Sequence, residues 1–222
     1  MSAIKPVKNY SHILFDLDGT ITDSEEGILN SIRYCLSHYR IDHPEPAFMK
    51  KFIGPPLIQS LVEHYKFDPE QAEKAVKVYR TYFRKKGIYE NKLYPGIADL
   101  LNTLRQKGKI LILATAKPTY YAKKIARHFG INEYLSEIVG SHMDGSRMEK
   151  KEIIQYILDR LPEVPREKFV MIGDRKHDIQ GARYFGLDSI WVEYGYGDED
   201  EIRSLTPTHI ARNVDELYPL LA

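Results

Sequence analysis

Cysteine is nearly absent from this sequence: Cys35 stands alone among 222 residues. That excludes an internal disulfide framework and fits a reducing interior, with the one thiol expected in a buried helix position rather than as a nucleophile. Long hydrophobic runs are missing as well. A membrane-spanning helix needs roughly 18 consecutive apolar residues, whereas the apolar stretch Ile110–Ala114 has the length of a strand. Neither sign of charge dominates, since 32 lysines and arginines face 31 aspartates and glutamates for a formal net charge of +1. So even a balance supplies no whole-chain field to draw in nucleic acid or an anionic membrane. The opening stretch Met1–Tyr10 shows neither the apolar core nor the small-residue cleavage site of a secretory leader. Together these absences lead to the expectation of a cytoplasmic chain with no nucleic-acid and no membrane partner. The histidines show no metal-ligand spacing and are expected at surface or structural positions.

What the sequence does contain is enough apolar material, 43% of its residues, to bury a full core. It comes in short runs. His12-Ile13-Leu14-Phe15 empties into the polar turn Asp16-Leu17-Asp18-Gly19-Thr20. Ile110–Ala114 is followed by Thr115-Ala116-Lys117-Pro118 and Phe169–Ile172 by Gly173-Asp174, while Ser189–Val192 and the shorter Ile138-Val139 are of the same kind. Helical patterns lie between them over 97–106, 120–128, 150–161 and 178–185, several closed by a glycine such as Gly108, Gly130 or Gly186. Strand alternating with helix predicts an α/β fold with a doubly wound parallel sheet. Such sheets are covered on both faces, which accounts for continuous rather than alternating apolar runs.

One stretch breaks this rhythm. Residues 22–92 hold helical periods and no strand pattern, and roughly 70 residues are too many for a βα crossover. They predict a small helical domain, 22–92, inserted into an α/β domain made of 1–21 and 93–222. Pro44, Pro46, Gly54-Pro55-Pro56 and Pro69 divide the insert into about four short helices, including 25–39 and 69–86. Tyr94-Pro95-Gly96 marks its return as a rigid turn suited to a hinge. The series Tyr79, Tyr82, Phe83, Tyr89 and Tyr94 is expected in core packing, and Gly195-Tyr196-Gly197, lacking the rest of a dinucleotide fingerprint, as a loop.

Ligands of open α/β sheets bind beyond the carboxyl ends of the strands, and the residues able to do chemistry stand there. Asp16 and Asp18 follow the first run, Thr115 and the amide of Ala116 the second, and Asp174 and Asp178 the third; Lys150 opens the helix before the third. Asp16, Asp18 and Asp174 brought together would raise one another's pKa and destabilise the fold unless a cation neutralised them. A set of oxygen ligands without histidine or cysteine points to a hard divalent ion, magnesium being the natural choice. With it in place, Asp16 can attack a phosphorus in line. Asp18 can then protonate the leaving alkoxide and afterwards take a proton from the water that hydrolyses the aspartyl phosphate. Gly19 lets the backbone turn tightly around the phosphate, while Thr115, Ala116 and Lys150 offer hydrogen bonds and charge to its oxygens. Asp178 and Thr115 also read as plain helix caps.

In order and spacing, Asp16-Leu17-Asp18-Gly19-Thr20, Thr115, Lys150 and Gly173-Asp174-Arg175-Lys176-His177-Asp178 resemble the four motifs of the haloacid dehalogenase-like hydrolases. The resemblance covers nearly the whole chain. It implies a Rossmann-like core with a helical cap domain, and magnesium held by Asp16, the main-chain carbonyl of Asp18 and Asp174, with Asp178 in support. The sequence is similar to the phosphoglycolate phosphatase-like branch, which also contains 5′-nucleotidase-like members. There Gly54-Pro55-Pro56-Leu57 resembles the substrate loop of the cap, and Gly140-Ser141 through Asp144-Gly145 precedes the lysine in the same way. Lys150 rather than Lys151 matches the motif by its distance to Ile153-Ile154, and Arg175 departs from the Ser or Thr of many members. The implied activity is a magnesium-dependent phosphatase acting on a small phosphorylated metabolite, phosphoglycolate phosphatase-like. The alternatives are a 5′-nucleotidase acting on nucleoside monophosphates and a sugar-phosphate mutase of the β-phosphoglucomutase-like kind. A receiver-like signalling module is disfavoured, because Asp18 supplies an acid and base and an ordered insert is costly unless it encloses a substrate.

Overall fold

Residues 8–221 are described by the structure, a computed structural model; for residues 1–7 the leader reading of Met1–Tyr10 lies outside them. The chain enters through β1 (His12–Phe15), leaves the first unit along β2 (Thr22–Asp23) and continues as α1 (Glu25–His38), α2 (Pro46–Met49), α3 (Leu57–Tyr65) and α4 (Pro69–Tyr82). It returns along β3 (Lys92–Leu93) to α5 (Ile97–Gln106), β4 (Ile110–Pro118), α6 (Thr119–His128), β5 (Glu137–Ser141) and α7 (Lys150–Asp159). The last part comprises β6 (Phe169–Gly173), α8 (Lys176–Tyr184), β7 (Asp188–Val192), α9 (Glu199–Arg203), β8 (His209–Ala211) and α10 (Tyr218–Leu221). Two compact units result, one running to Thr22 and resuming at Leu93, the other being Asp23–Lys92.

The first unit is built on a six-stranded parallel sheet in the order β5-β4-β1-β6-β7-β8. This is the doubly wound α/β class predicted from the alternation of apolar runs and helices. Leu14, Ile112, Ala114, Val139, Phe169 and Met171 pack with Ile153, Ile154, Ile157 and Leu158 of α7 and Ala182 of α8. The residues in the opposite phase, Ile13, Phe15, Leu111, Leu113, Val170 and Ile172, are fully buried too. Burial on both faces is why the central strands β1, β4 and β6 carry continuous apolar runs. From β1 the chain winds outward through β4 and β5, then returns to β6 and winds the other way. The strand order therefore reverses between β1 and β6, and a crevice opens there beyond their carboxyl ends.

Several boundaries differ from the expectation. β4 runs on past Ala114 to Pro118, α8 begins at Lys176 instead of Asp178, and α7 ends at Asp159. Edge strand β8, His209-Ile210-Ala211, is too short and too polar to show a pattern.

In the second unit α1, α3 and α4 enclose Cys35, Leu61, Phe67, Ala72 and Ala75. Burial pushes the Cys35 thiol up to about 11, and it donates to the Ala75 carbonyl at 3.3 Å. A neutral, hydrogen-bonded thiol is no nucleophile. The helical pattern over 69–86 divides: α4 stops at Tyr82 and Phe83–Gly87 forms a π-helical turn. Phe83 is buried and stacks on Tyr79 at 5.5 Å, but Tyr89 is 51% exposed, so core packing does not describe the whole aromatic series. Among the described residues no helix is long and apolar enough to cross a membrane.

Candidate active site

The sheet register brings the polar strand ends to one level. Phe15 lies opposite Leu113 on one side and Ile172 on the other. Asp16 therefore emerges between Ala114 and Gly173, with Thr115 and Asp174 one residue beyond. Past Asp16 the chain folds sharply: the Leu17 carbonyl accepts the N–H groups of Ile21 and Thr22 at 2.9 Å, and the Gly19 N–H donates to Thr22 O at 2.8 Å. Gly19 has φ +81°, and a Cβ there would lie 2.1 Å from Asp174 Oδ2. The glycine is thus required by the neighbouring carboxylate as well as by the turn.

Carboxylate oxygens of Asp16, Asp174 and Asp178, all buried, lie within 4.8 Å of one another. Lys150 reaches in from the first turn of α7, with its ammonium 3.0 Å from Asp16 Oδ1, 2.7 Å from Asp178 Oδ1 and 2.7 Å from Ala114 O. Lys151 points away and pairs with Glu149 at 2.8 Å on the surface. Asp174 accepts the Thr20 hydroxyl at Oδ1 (3.3 Å) and the Tyr196 N–H at Oδ2 (2.7 Å). Asp178, the third residue of α8, accepts the Arg175 N–H at 3.1 Å while facing Lys150, so it caps its helix and joins the cluster at once. Thr115 does not cap α6, which starts at Thr119; its hydroxyl accepts the Lys117 N–H at 3.3 Å. The Ala116 carbonyl accepts the Ser141 hydroxyl at 2.7 Å. Gly54, Pro55 and Pro56 lie in the other unit, ahead of α3, with Gly54 at φ +103°.

Electrostatically the cluster is incomplete. If all were ionised, the four carboxylates of Asp16, Asp18, Asp174 and Asp178 would outnumber the two ammonium groups near them, Lys150 and Lys117, by two charges. Burial pushes Asp16 up to about 6, with Lys150 opposing the shift and Asp178 and Asp18 adding to it. Burial, then Asp178 and Asp16, holds Asp174 well above the usual carboxylate range. For Lys150, burial pulls downward, but Asp16 and Asp178 prevail and raise it, so it stays charged. Asp18 Oδ1 is buried without a hydrogen-bond partner. Hard oxygen donors, an unsatisfied oxygen and an excess of two negative charges on full ionisation fit a divalent cation of the magnesium type.

Two parts of this arrangement escaped the sequence reading. Lys117, placed in a polar turn, belongs to β4, where the register slips between Thr115 and Pro118. Its ammonium lies 2.8 Å from Asp18 Oδ2 with both side chains nearly buried. A lysine two residues beyond Thr115, at the carboxyl end of a buried strand, was the available signal. The second part is the loop after β7. Tyr194 donates its hydroxyl to Thr20 O at 3.0 Å, and a Cβ on Gly195 would meet Asp174 Cβ at 2.3 Å and Gly19 O at 2.4 Å. The glycines around Tyr196 therefore let this loop lie against Asp174. Gly195→Ala is expected to destabilise the protein by roughly 2 kcal/mol or more, read as a fall in the urea midpoint; an unchanged midpoint would show that the loop is free to move away.

A family model described as haloacid dehalogenase-like hydrolase matches residues 13–192. A 5′-nucleotidase of Pseudomonas aeruginosa is 44% identical over 212 residues, covering 96% of each chain. The tyrosine-protein kinase PtkA of Mycobacterium tuberculosis is 38% identical over 221 residues, 99% of this chain and 75% of that one. Among solved structures, a predicted phosphatase from Clostridium acetobutylicum superposes with a TM-score of 0.91 at 42% identity, covering 96% of this chain and 98% of that one.

Proposed function

We propose, starting from a chain that belongs to the haloacid dehalogenase-like hydrolase family and is a phosphatase of that family, that it hydrolyses a small phosphomonoester with magnesium bound and the phosphoryl group held transiently on Asp16. One observation carries this reading: the buried carboxylates of Asp16, Asp174 and Asp178 lie within 4.8 Å of one another, Lys150 pairs with only Asp16 and Asp178, and Lys117 is taken by Asp18. Asp16, Asp174 and the Asp18 main-chain carbonyl would hold the ion, with Asp178 behind them. When bound, it supplies Lewis-acid withdrawal of charge from the phosphoryl oxygens.

The chain's own groups perform the two displacements. An Asp16 oxygen bonds to phosphorus as the ester P–O bond breaks, and Asp18 gives the leaving oxygen its proton. Water then attacks the same phosphorus, Asp18 takes the proton back, and the Asp16–phosphorus bond breaks to release inorganic phosphate. Lys150 orients Asp16, and Lys117 holds Asp18. Gly19, the Thr115 hydroxyl, the Ala116 amide and the Lys150 ammonium are assigned to the phosphoryl oxygens.

The 44% identity to a 5′-nucleotidase supports a nucleoside 5′-monophosphate as substrate, ahead of phosphoglycolate. Selection of the leaving group is assigned to the inserted unit and its Gly54, Pro55 and Pro56 loop. Nucleoside monophosphates, phosphoglycolate and hexose phosphates ranked by kcat/KM test this, because that ratio compares transition-state binding. A nucleoside monophosphate is expected first; phosphoglycolate in first place would overturn the substrate assignment. The 38% relative named as a tyrosine kinase supports a second reading, in which ATP phosphorylates Asp16 with loss of ADP and a tyrosine hydroxyl replaces water. Phosphotyrosine formed from ATP in step with ADP would establish it.

Magnesium dependence has a pH signature. Asp16 is raised from its ordinary 3.8 to about 6 in the metal-free fold, so between those values the folded chain holds a proton that the unfolded chain has lost. The stability this confers is present below the lower value and disappears as pH rises through the upper one. A divalent ion must displace that proton. The rise in Tm produced by a fixed millimolar excess of magnesium should therefore be larger at pH 7.5 than at pH 5. An equal or larger rise at pH 5 would contradict the assignment, as would activity that survives EDTA.

A further inference from the structure

Arg175 stands between two residues of the acidic cluster; its charge favours the ionised Asp174, and its side chain pairs outside the cluster. The guanidinium, 9% exposed, turns to Glu201 of α9: Nε lies 3.1 Å from Oε1 and 3.2 Å from Oε2, and Nη2 lies 2.6 Å from Oε1. Glu201 Oε2 also accepts the Lys176 N–H at 2.9 Å, and the Glu201 N–H is held by Asp198 Oδ1 at 2.9 Å. A bidentate, nearly buried pair of this kind is geometrically exacting. It fixes one end of the segment that leaves β7, runs through Tyr194, Gly195, Tyr196 and Gly197, and ends in α9. The other end of that segment lies on Asp174, where the Tyr196 N–H donates to Oδ2 at 2.7 Å and a Cβ on Gly197 would fall 1.9 Å from Asp174 O. The Asp174 carboxylate is thus held on Oδ1 by the Thr20 hydroxyl of the β1 turn and on Oδ2 by a loop whose far end is tied back to Arg175, the next residue in the chain.

We propose that Arg175 and Glu201 form a clamp that positions Asp174: the ion pair keeps the loop where the Tyr196 amide can orient the carboxylate toward the divalent-ion site. This rests on the reading of Asp174 as a metal ligand given above. Both residues are positioning residues, acting through the loop, and neither touches the reacting atoms. Groups that orient a metal ligand typically change metal affinity by 10- to 100-fold when removed.

The test uses the full chain as wild type, Arg175→Gln, Glu201→Gln, the double variant and the exchanged pair Arg175→Glu/Glu201→Arg. Magnesium affinity is measured by calorimetry without substrate, and hydrogen exchange of the Tyr196 amide in the metal-free protein. Each single variant is expected to weaken magnesium binding about 10-fold or more and to speed exchange at Tyr196. The double variant should lose about as much as Glu201→Gln alone, because the Arg175 contact is already gone there. The exchanged pair should recover part of the loss if the exchanged side chains still meet. Folded variants that bind magnesium like wild type would overturn the clamp. Wild type that binds no magnesium would overturn the metal reading, and faster Tyr196 exchange in the variants would then still report the loop contact on its own. If the Gln variants do not fold, Arg175→Lys keeps the charge without the fork, and wild-type affinity in it would contradict the proposal.

Discussion

Asp16→Asn should abolish phosphate release, lowering kcat by roughly four orders of magnitude or more, while leaving the fold intact. The amide has the shape of the carboxylate but cannot form a stable bond to phosphorus. Stability should survive because Asp16 is a strained anion in the metal-free fold: burial first, then Asp178 and Asp18, disfavour its charge. Lys150 is not left unpaired by the change, since Asp178 Oδ1 and Ala114 O both remain at 2.7 Å. The metal-free Tm at pH 7.5 is therefore expected to stay level or rise, and the gain on adding magnesium to shrink. A large fall in Tm would mean that the fold needs this carboxylate for structure, and residual turnover within tenfold of wild type would remove Asp16 from the chemistry.

Asp18→Asn should be nearly as damaging, in a manner that depends on the leaving group. An alkoxide departs poorly without a proton, so kcat/KM for a nucleoside monophosphate should fall roughly 10³-fold. p-Nitrophenolate needs no proton to leave, and its kcat/KM, which reports only the first displacement, should fall far less. The second displacement loses its base with either substrate, so kcat should drop for both and phosphorylated protein should accumulate. Equal losses in kcat/KM for the two leaving groups would assign Asp18 a structural role through its pair with Lys117.

The fold class was legible because parallel strands buried on both faces leave a mark that survives in sequence, as in Leu111–Leu113 and Phe169–Ile172. The carboxylates stood out for a related reason: Asp16 and Asp174 follow directly on such runs, where an ionised side chain is out of place unless it has work to do. β8 could not be read, since three residues carry no periodicity. The role of Lys117 is hidden in the sequence because a lysine at a strand end normally snorkels to water, and nothing local announces its pair with Asp18. The loop from Tyr194 to Gly197 and the Arg175–Glu201 pair share a deeper obstacle. Their roles come from packing against Asp174, and Glu201 lies 26 residues beyond Arg175. Gly195 looks like any turn glycine until the Asp174 side chain beside it is known.

The claim beneath the whole account is that phosphorus bonds to Asp16. Acid quenching during turnover, digestion and mass spectrometry would observe that directly, with Asp18→Asn used to lengthen the life of the species. One phosphoryl group, labile to hydroxylamine, is expected on the peptide containing Asp16 and to vanish in Asp16→Asn. A phosphoryl group on any other residue, or rapid turnover with no phosphorylated peptide in either protein, would contradict the account.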